Sequence, residues 1–289
     1  MTDEVWTVRK VLGWTAGHFE KSTVDSPRLT AEILLTHVLN TSRVKLYTDL
    51  DRPLQKTELA AYRALITKRL EGQPTAYLTG YREFYGRRFA VDARVLVPRP
   101  ETELLVEAAL KVLPKDAPSR ALDLCTGSGC VALSLALERP KASVWAVDVS
   151  PGACAVAKAN AEALGAGGRV TVLEGDLFAP VPEGARFDLV TANAPYVKTG
   201  ELAGLQKEVR QEPTLALDGG PDGLDVIRRI ADGALARLKP GGLLALEIGD
   251  DQGEAMVTLL TRAGYRDVRV DVDLARLPRL AFGTAPGAP

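Results

Sequence analysis

The fold class is decided by Ala121-Leu122-Asp123-Leu124-Cys125-Thr126-Gly127-Ser128-Gly129, by the apolar run that follows to Glu138, and by Val144-Trp145-Ala146-Val147-Asp148. Residues 121–124 read as a short buried strand, 129–138 as a helix and 144–148 as a second strand. Strand, crossover helix and strand in one short span are the unit from which parallel sheets are built. The glycines of the turn let backbone approach a ligand with no Cβ in the way. The helix beginning at Gly129 offers unpaired N–H groups and the positive end of its dipole.

C-terminal to this unit the alternation continues. Ser150 reads as a helix cap with Pro151 at the first helical position, and 170–173, 187–190 and 243–248 read as strands. A helix is expected over 224–238, closed by Lys239-Pro240-Gly241-Gly242, with a last helix and strands around Val268 and Leu280 after it. The Gly/Pro/Ala-rich tail, 283–289, reads as frayed. This βαβ alternation means an α/β fold, a mainly parallel sheet with helices on both faces.

N-terminal to it the pattern changes. Val5, Val8, Val11-Leu12 and Phe19 make one helical stripe. Leu29, Ile33, Leu34 and Val38 make another, behind a Ser26 cap and Pro27, and Leu59, Tyr62, Leu65-Ile66 and Leu70 a third. A small helical bundle is expected over 1–75. From Gly72-Gln73-Pro74 the text turns rich in Gly, Pro and aromatics. Phe84 to Phe89 and Val91 to Val97 suggest a β-hairpin linker over 76–97, and a helix over about 102–112 opens the domain 98–289.

Composition excludes several functions. The 289 residues are 46% hydrophobic and 25% charged, which is enough apolar material for a core and rules out global disorder. With 36 Lys/Arg against 37 Asp/Glu the net charge is −1, so stable nucleic-acid binding through bulk charge is not expected. Residues 1–90 carry 14 basic against 10 acidic side chains, a mild excess that decides nothing about a partner. No apolar run approaches the roughly 18–20 residues of a membrane helix, and the start, Thr2-Asp3-Glu4, is acidic where a secretory signal is basic. Three cysteines, Cys125, Cys130 and Cys154, form no Cys-x-x-Cys pair, and the only histidines are the distant His18 and His37. Neither a disulfide framework nor a metal site is expected, and small thiols in a reducing cytoplasm are.

Two constellations carry chemistry. The first is the glycine turn, with Asp123, Cys125, Thr126, Gly127, Ser128 and Gly129 around it. Asp148 ends the second strand, 19 residues past Gly129, where a carboxylate accepts ribose hydroxyls. Gly175-Asp176-Leu177, after the third strand, lies where an adenine edge is read. Together they describe an adenosine pocket. Gly127-Ser128-Gly129-Cys130-Val131-Ala132 also fits the dinucleotide pattern, which keeps an oxidoreductase in contention at this point. The second constellation is Asn193-Ala194-Pro195-Tyr196, after the fourth strand. The Asn193 side-chain carbonyl and the Ala194 backbone carbonyl are two acceptors matched to the two donors of a planar NH2 group. Pro195 biases Ala194 towards extended backbone, and Tyr196 offers a stacking face. An oxidoreductase has no need of such a claw, whereas an enzyme methylating a planar nitrogen does.

The sequence also resembles the HemK-type release factor glutamine methyltransferase family. The resemblance covers nearly the whole chain from about residue 70. It rests on Ala76-Tyr77-Leu78-Thr79-Gly80, Glu83-Phe84-Tyr85-Gly86 and Val95-Leu96-Val97-Pro98-Arg99-Pro100-Glu101-Thr102-Glu103. The glycine turn, the Asn193–Tyr196 claw, and Glu212-Pro213 through Leu215 to Gly220 and Asp222-Gly223-Leu224 carry the rest. It implies a Rossmann-like class I methyltransferase sheet ending in an antiparallel strand, with S-adenosylmethionine as cofactor. It implies methylation of the amide nitrogen of the Gln in a Gly-Gly-Gln motif of peptide chain release factors. It implies donor contacts from Thr126, Gly127 and Gly129, Asp148 on the ribose, Asn193 on the substrate amide, and a helical N-terminal domain that docks the release factor. A cytoplasmic monomer is expected.

Two positions depart from the family pattern. Ala194 replaces a proline, which keeps the carbonyl but loses a rigid ring, so a looser claw is expected. Cys125 replaces a first glycine. Arg99 and Glu101 are expected either to close over the site or to pair as an ion bridge in the linker. Alternatives of other kinds are an adenine amino-group methyltransferase, a glutamine methyltransferase acting on another protein, and a non-catalytic binder that kept the cradle.

Overall fold

The structure is a computed structural model that describes residues 5–287, so the acidic start and the last two residues of the tail lie outside it. The chain divides into two compact units, Met1–Gly80 with Gln206–Gln211, and Tyr81–Leu205 with Glu212–Pro289.

The first unit is helical: α1 Val8–Lys21, α2 Pro27–Val38, α3 Arg43–Thr48, α4 Lys56–Leu70 and α5 Thr75–Thr79. The predicted stripes converge on a core around Leu12, Phe19, Leu34, Leu35 and Tyr62. The short α3 and α5 escape sequence reading because fewer than two turns show no period. Ser26 precedes α2 but does not cap it with its side chain, because it lies in the left-handed region at φ 45°. Its carbonyl instead accepts from the Thr30 N–H.

Segment 206–211 completes this unit. Glu208 pairs with the buried Arg69, and Lys207 Nζ donates to the Leu70 carbonyl at 2.9 Å. The buried Glu32 accepts from Arg28 at 2.8 Å, Arg43 at 2.8 Å and the Tyr47 hydroxyl. Burial opposes its charge, but these donors outweigh it and hold the carboxyl below its usual range.

The second unit opens on a hairpin, β1 Tyr81–Phe84 and β2 Arg87–Ala90. Tyr85 and Gly86 turn it with φ of 48° and 71°, the paired left-handed conformation that matches strand twist. The hairpin therefore closes inside the stretch read as its first strand. Residues 91–97, expected as the second strand, are irregular, because Asp92 takes the Arg94 N–H at 3.0 Å and turns the chain.

The main sheet has seven strands: β3 Ser119–Leu124, β4 Ala142–Asp148, β5 Val170–Glu174, β6 Phe187–Ala192, β7 Leu238–Glu247, β8 Arg266–Val272 and β9 Pro278–Thr284. Their order is β5-β4-β3-β6-β7-β9-β8. The first five are parallel, and β9 enters antiparallel between β7 and β8. Helices α6 Thr102–Val112, α7 Cys130–Glu138, α8 Pro151–Ala163, α9 Asp225–Ala234 and α10 Gly253–Arg262 cover it.

Period-two alternation divides each strand between two cores. Ala121, Leu189 and Ala245 belong to one, and Leu122, Val190 and Leu244 to the other. Two expectations fail here. Lys239-Pro240-Gly241-Gly242 lies inside β7 rather than ending α9, because the strand makes a wide excursion between pairing Leu238 with Phe187 and Leu243 with Leu189. Gly283 and Thr284 are ordered in β9, where a Cβ on Gly283 would lie 2.8 Å from Tyr265. β3 lies between β4 and β6, so the connections diverge on either side of it. The crevice at such a switch point is where open α/β sheets bind ligands.

Glu32→Gln should destabilise the helical unit by about 1.5–3 kcal/mol near pH 7, the usual range for hydrogen bonds to a charged group. Because the folded carboxyl is held low, its contribution is present above the unfolded value, near 4.5, and is lost below it. Urea midpoints of wild type and variant should converge as pH falls through that range.

Candidate active site

The turn after β3 and the claw after β6 open onto one cleft of about 340 Å³ at the carboxyl ends of the strands. Asp123, Cys125, Thr126, Gly127, Ser128, Asp148, Asp176, Leu177, Asn193 and Pro195 all line it. Gly129, Ala194 and Tyr196 do not.

The turn is a left-handed relay, with Cys125, Gly127 and Gly129 at φ of 55°, 55° and 80°. Cys125 is the strained member, a position glycine fills at lower cost. Burial pushes its thiol up, so it stays protonated and is no nucleophile. Gly129 serves packing rather than contact, since a Cβ there would lie 3.1 Å from Leu133 and 3.2 Å from Ala157. Asp148 ties the turn down by accepting the Gly127 N–H at 2.8 Å and the Ser150 N–H at 2.9 Å. The Val149 N–H also favours its charged form, and a carboxylate with about four acceptor sites keeps capacity for a ligand hydroxyl. Ser150 in turn caps α8 through the Ala153 N–H at 3.2 Å.

Beneath the turn, Asp123 is buried and accepts from Thr126 at 2.6 Å and Thr191 at 2.7 Å. Burial raises its pKa to about 6, against the pull of those hydroxyls. It holds the site together from below. Asp176 is paired with Arg229, which shares the cleft wall. Asn160 went unnoticed in the sequence. It accepts the Ala90 N–H at 2.8 Å and donates to the Ser128 carbonyl at 2.9 Å, joining hairpin, α8 and turn.

At the claw, Asn193 Nδ2 donates to Thr102 Oγ1 at 3.1 Å, which leaves Oδ1 as the amide end available to the cleft. Ala194 is buried in the apolar core. The Tyr196 ring packs at the edge of that core, and its hydroxyl donates to Glu247 Oε1 at 3.4 Å. Burial, reinforced by Glu247, pushes that phenol up.

A second layer grips the segment from behind. Gln252 Nε2 donates to the carbonyls of Tyr196 at 3.1 Å and Gly223 at 3.2 Å, while the Val197 N–H donates to the Leu217 carbonyl at 2.9 Å and the Val197 carbonyl accepts the Gly219 N–H at 2.8 Å. A Cβ on Gly219 would lie 2.6 Å from the Pro195 carbonyl oxygen, and one on Gly223 2.3 Å from that of Tyr196.

The Pro98–Glu103 block resolves into separate ties. Arg99 pairs with Glu212 at 2.5 Å, and Glu212 also accepts the Val97 N–H at 2.9 Å. Its partner is therefore not Glu101, which is exposed. Thr102 meets Asn193, and Glu103 accepts the Tyr85 N–H at 2.8 Å.

Residues 10–80 match the family described as PrmC N-terminal domain, and residues 121–212 match a methyltransferase domain family. The chain is 45% identical to the release factor glutamine methyltransferase of Geobacter sulfurreducens over 97% of both chains. It is 45% identical to that of Moorella thermoacetica over 93% of this chain and 95% of the relative. The chain belongs to the release factor glutamine methyltransferases. The fold of this methyltransferase is shared more widely. The hMettl16 catalytic domain superposes with a TM-score of 0.59 at 17% identity, over 73% of this chain and 80% of that one. A T. thermophilus 16S rRNA methyltransferase, RsmC, superposes with 0.52 at 21% identity, over 71% of this chain and 49% of that one.

Gly223→Ala tests this grip on the claw. A methyl group at φ 77° against a backbone carbonyl should cost about 1–2 kcal/mol in conformation alone, and more in contact. The methyltransferase should lose at least ~10-fold in turnover by displacement of the claw, while equilibrium dialysis shows little change in cofactor affinity.

Proposed function

We propose that the enzyme methylates the side-chain amide nitrogen of the Gln in a Gly-Gly-Gln motif of a peptide chain release factor. S-adenosylmethionine supplies an electrophilic methyl group on sulfonium. The observation that carries the reading is the orientation of Asn193, whose amide nitrogen donates to Thr102 and leaves Oδ1 as an acceptor at the cleft, one strand away from the glycine turn.

The residues fit the cofactor. Asp148 has lone pairs for ribose hydroxyls, Gly127 and Ser128 present backbone without bulk, and the cleft volume suits a small ligand. Asp176 and Leu177 line the same cleft and would meet the adenine edge.

An amide nitrogen is a weak nucleophile because its lone pair is delocalised. Alignment is therefore the chief task of the protein. Asn193 Oδ1 and the Ala194 carbonyl hold the two N–H donors of the glutamine and set the direction of its lone pair. Both acceptors strengthen as positive charge develops on nitrogen. The buried Asp123 is occupied by two hydroxyls and Cys125 is a neutral thiol, so neither acts as a base, and the proton leaves to water. The helical unit, matched by the PrmC N-terminal family, docks the release factor, and the enzyme works as a cytoplasmic monomer. No helix among the described residues is long and apolar enough to cross a membrane.

Asn193→Ala should reduce transfer of labelled methyl to a release factor by at least ~100-fold while cofactor affinity stays within a few-fold. A near-normal rate would remove Asn193 from the mechanism. Asp148→Ala should do the reverse first, weakening cofactor binding by at least ~10-fold in calorimetry, since it removes a ribose acceptor and releases the turn.

A further inference from the structure

Behind the claw sits a carboxylate that the mechanism does not use. Glu247 ends β7, and alternation along Leu243-Leu244-Ala245-Leu246-Glu247 turns it to the face covered by the start of α6. It is 1% exposed. The Tyr196 hydroxyl donates to Oε1, while Oε2 is buried without a well-formed hydrogen bond among the described residues. The other hydroxyl facing the carboxylate is that of Thr102, which favours its charged form. Thr102 is itself 2% exposed, and its oxygen receives Asn193 Nδ2 at 3.1 Å. The Thr102 hydroxyl thus stands between Asn193 and Glu247.

A hydroxyl has one proton, and a carboxylate can only accept. With Glu247 ionised, the carboxylate draws the Thr102 proton towards itself and leaves the Thr102 oxygen to accept from Asn193. That forces the NH2 end of Asn193 inward and its carbonyl outward. Were the residue at 247 able to donate, Thr102 could turn its proton to Asn193 Oδ1, and the claw would present a donor to a substrate that is itself a donor. Nothing else observed at Asn193 distinguishes the two ends of its side-chain amide.

We propose that Thr102 and Glu247 are positioning residues that set the polarity of the Asn193 side chain, so that an oxygen faces the substrate nitrogen. The proposal rests on the amide-methylation reading and deepens it. Burial, partly offset by Thr102 and Arg279 and reinforced by Glu101, holds the Glu247 carboxyl at about 7. Tyr196 also faces it and stays neutral. The bias on Asn193 therefore strengthens as pH rises through neutrality and relaxes below it.

The test uses the full chain with a release factor bearing Gly-Gly-Gln, measuring kcat, KM and cofactor affinity for Thr102→Val, Thr102→Ser and Glu247→Gln. Thr102→Val should lose ~100-fold in kcat with cofactor affinity within a few-fold, and Thr102→Ser should recover most of it, because the serine hydroxyl restores the link. Glu247→Gln, whose amide can donate to Thr102, should lose ~30-fold or more and lack the rising limb through pH 7 expected of the wild type. Turnover of Glu247→Gln within a few-fold of wild type with an unchanged pH profile would overturn the proposal. So would a Thr102→Ser no better than Thr102→Val. Wild-type transfer to glutamine tests the functional reading separately. If it is absent, crystal structures of wild type and Glu247→Gln at hydrogen-resolving resolution decide the polarity. Asn193 Nδ2 on Thr102 in the first and Oδ1 in the second supports the proposal, and the same end in both overturns it.

Discussion

Asp123 is the point on which the site depends. It pairs in register with Thr191 across the β3–β6 boundary, and its carboxyl takes the hydroxyls of Thr191 and Thr126. One end of this tie is in the strand that feeds the glycine turn, and another is in the strand that feeds the claw. The glycine turn and the Asn193 segment are thereby built on neighbouring strands, two residues past a shared buried anchor. Parallel strands diverge into opposite connections at this boundary, which keeps the crevice open above it. A covalently distant pair of motifs becomes a single site because one polar cluster fixes their register.

Around that anchor the enzyme spends many residues on holding backbone rather than touching ligand. Asp148 accepts the Gly127 and Ser150 N–H groups, Glu212 accepts one from Val97 while pairing with Arg99, and Gln252 grips two carbonyls. Gly219 and Gly223 exist to let carbonyls pass. Alignment catalysis has this consequence. When the reaction needs little acid–base help, precision in placing two oxygens becomes the main demand on the fold.

Much of this was legible in the sequence. The βαβ alternation, the glycine turn, Asp148 and Asn193 announce themselves by local pattern, and ten of the thirteen residues expected at the site share its cleft. What local pattern could not show was partnership. Arg99 and Glu101 are expected either to close over the site or to pair with each other; Arg99 lines the cleft and pairs with Glu212 instead, because residues two apart in an irregular stretch need not face each other. The hairpin was misplaced because a turn of Tyr85-Gly86 hides within an aromatic run. Lys239-Pro240-Gly241-Gly242 reads as a helix stop and proves to be a strand excursion. Asn160 and Gln252 lie on helix α8 and before α10 with no motif around them. Glu247 did leave a trace, a lone carboxylate closing the apolar Leu243–Leu246 run, and its meaning emerges only when Thr102 is placed against it.

The six residues Gln206–Gln211 belong to the helical unit although they are encoded deep within the catalytic one. Arg69, 6% exposed, takes its counter-charge from Glu208, 139 positions later. During synthesis the first eighty residues leave the ribosome well before that carboxylate exists. The helices can gather early, but their guanidinium must stay hydrated until translation has passed residue 208. A fragment ending at Gly80 would therefore lack the carboxylate that pairs with Arg69.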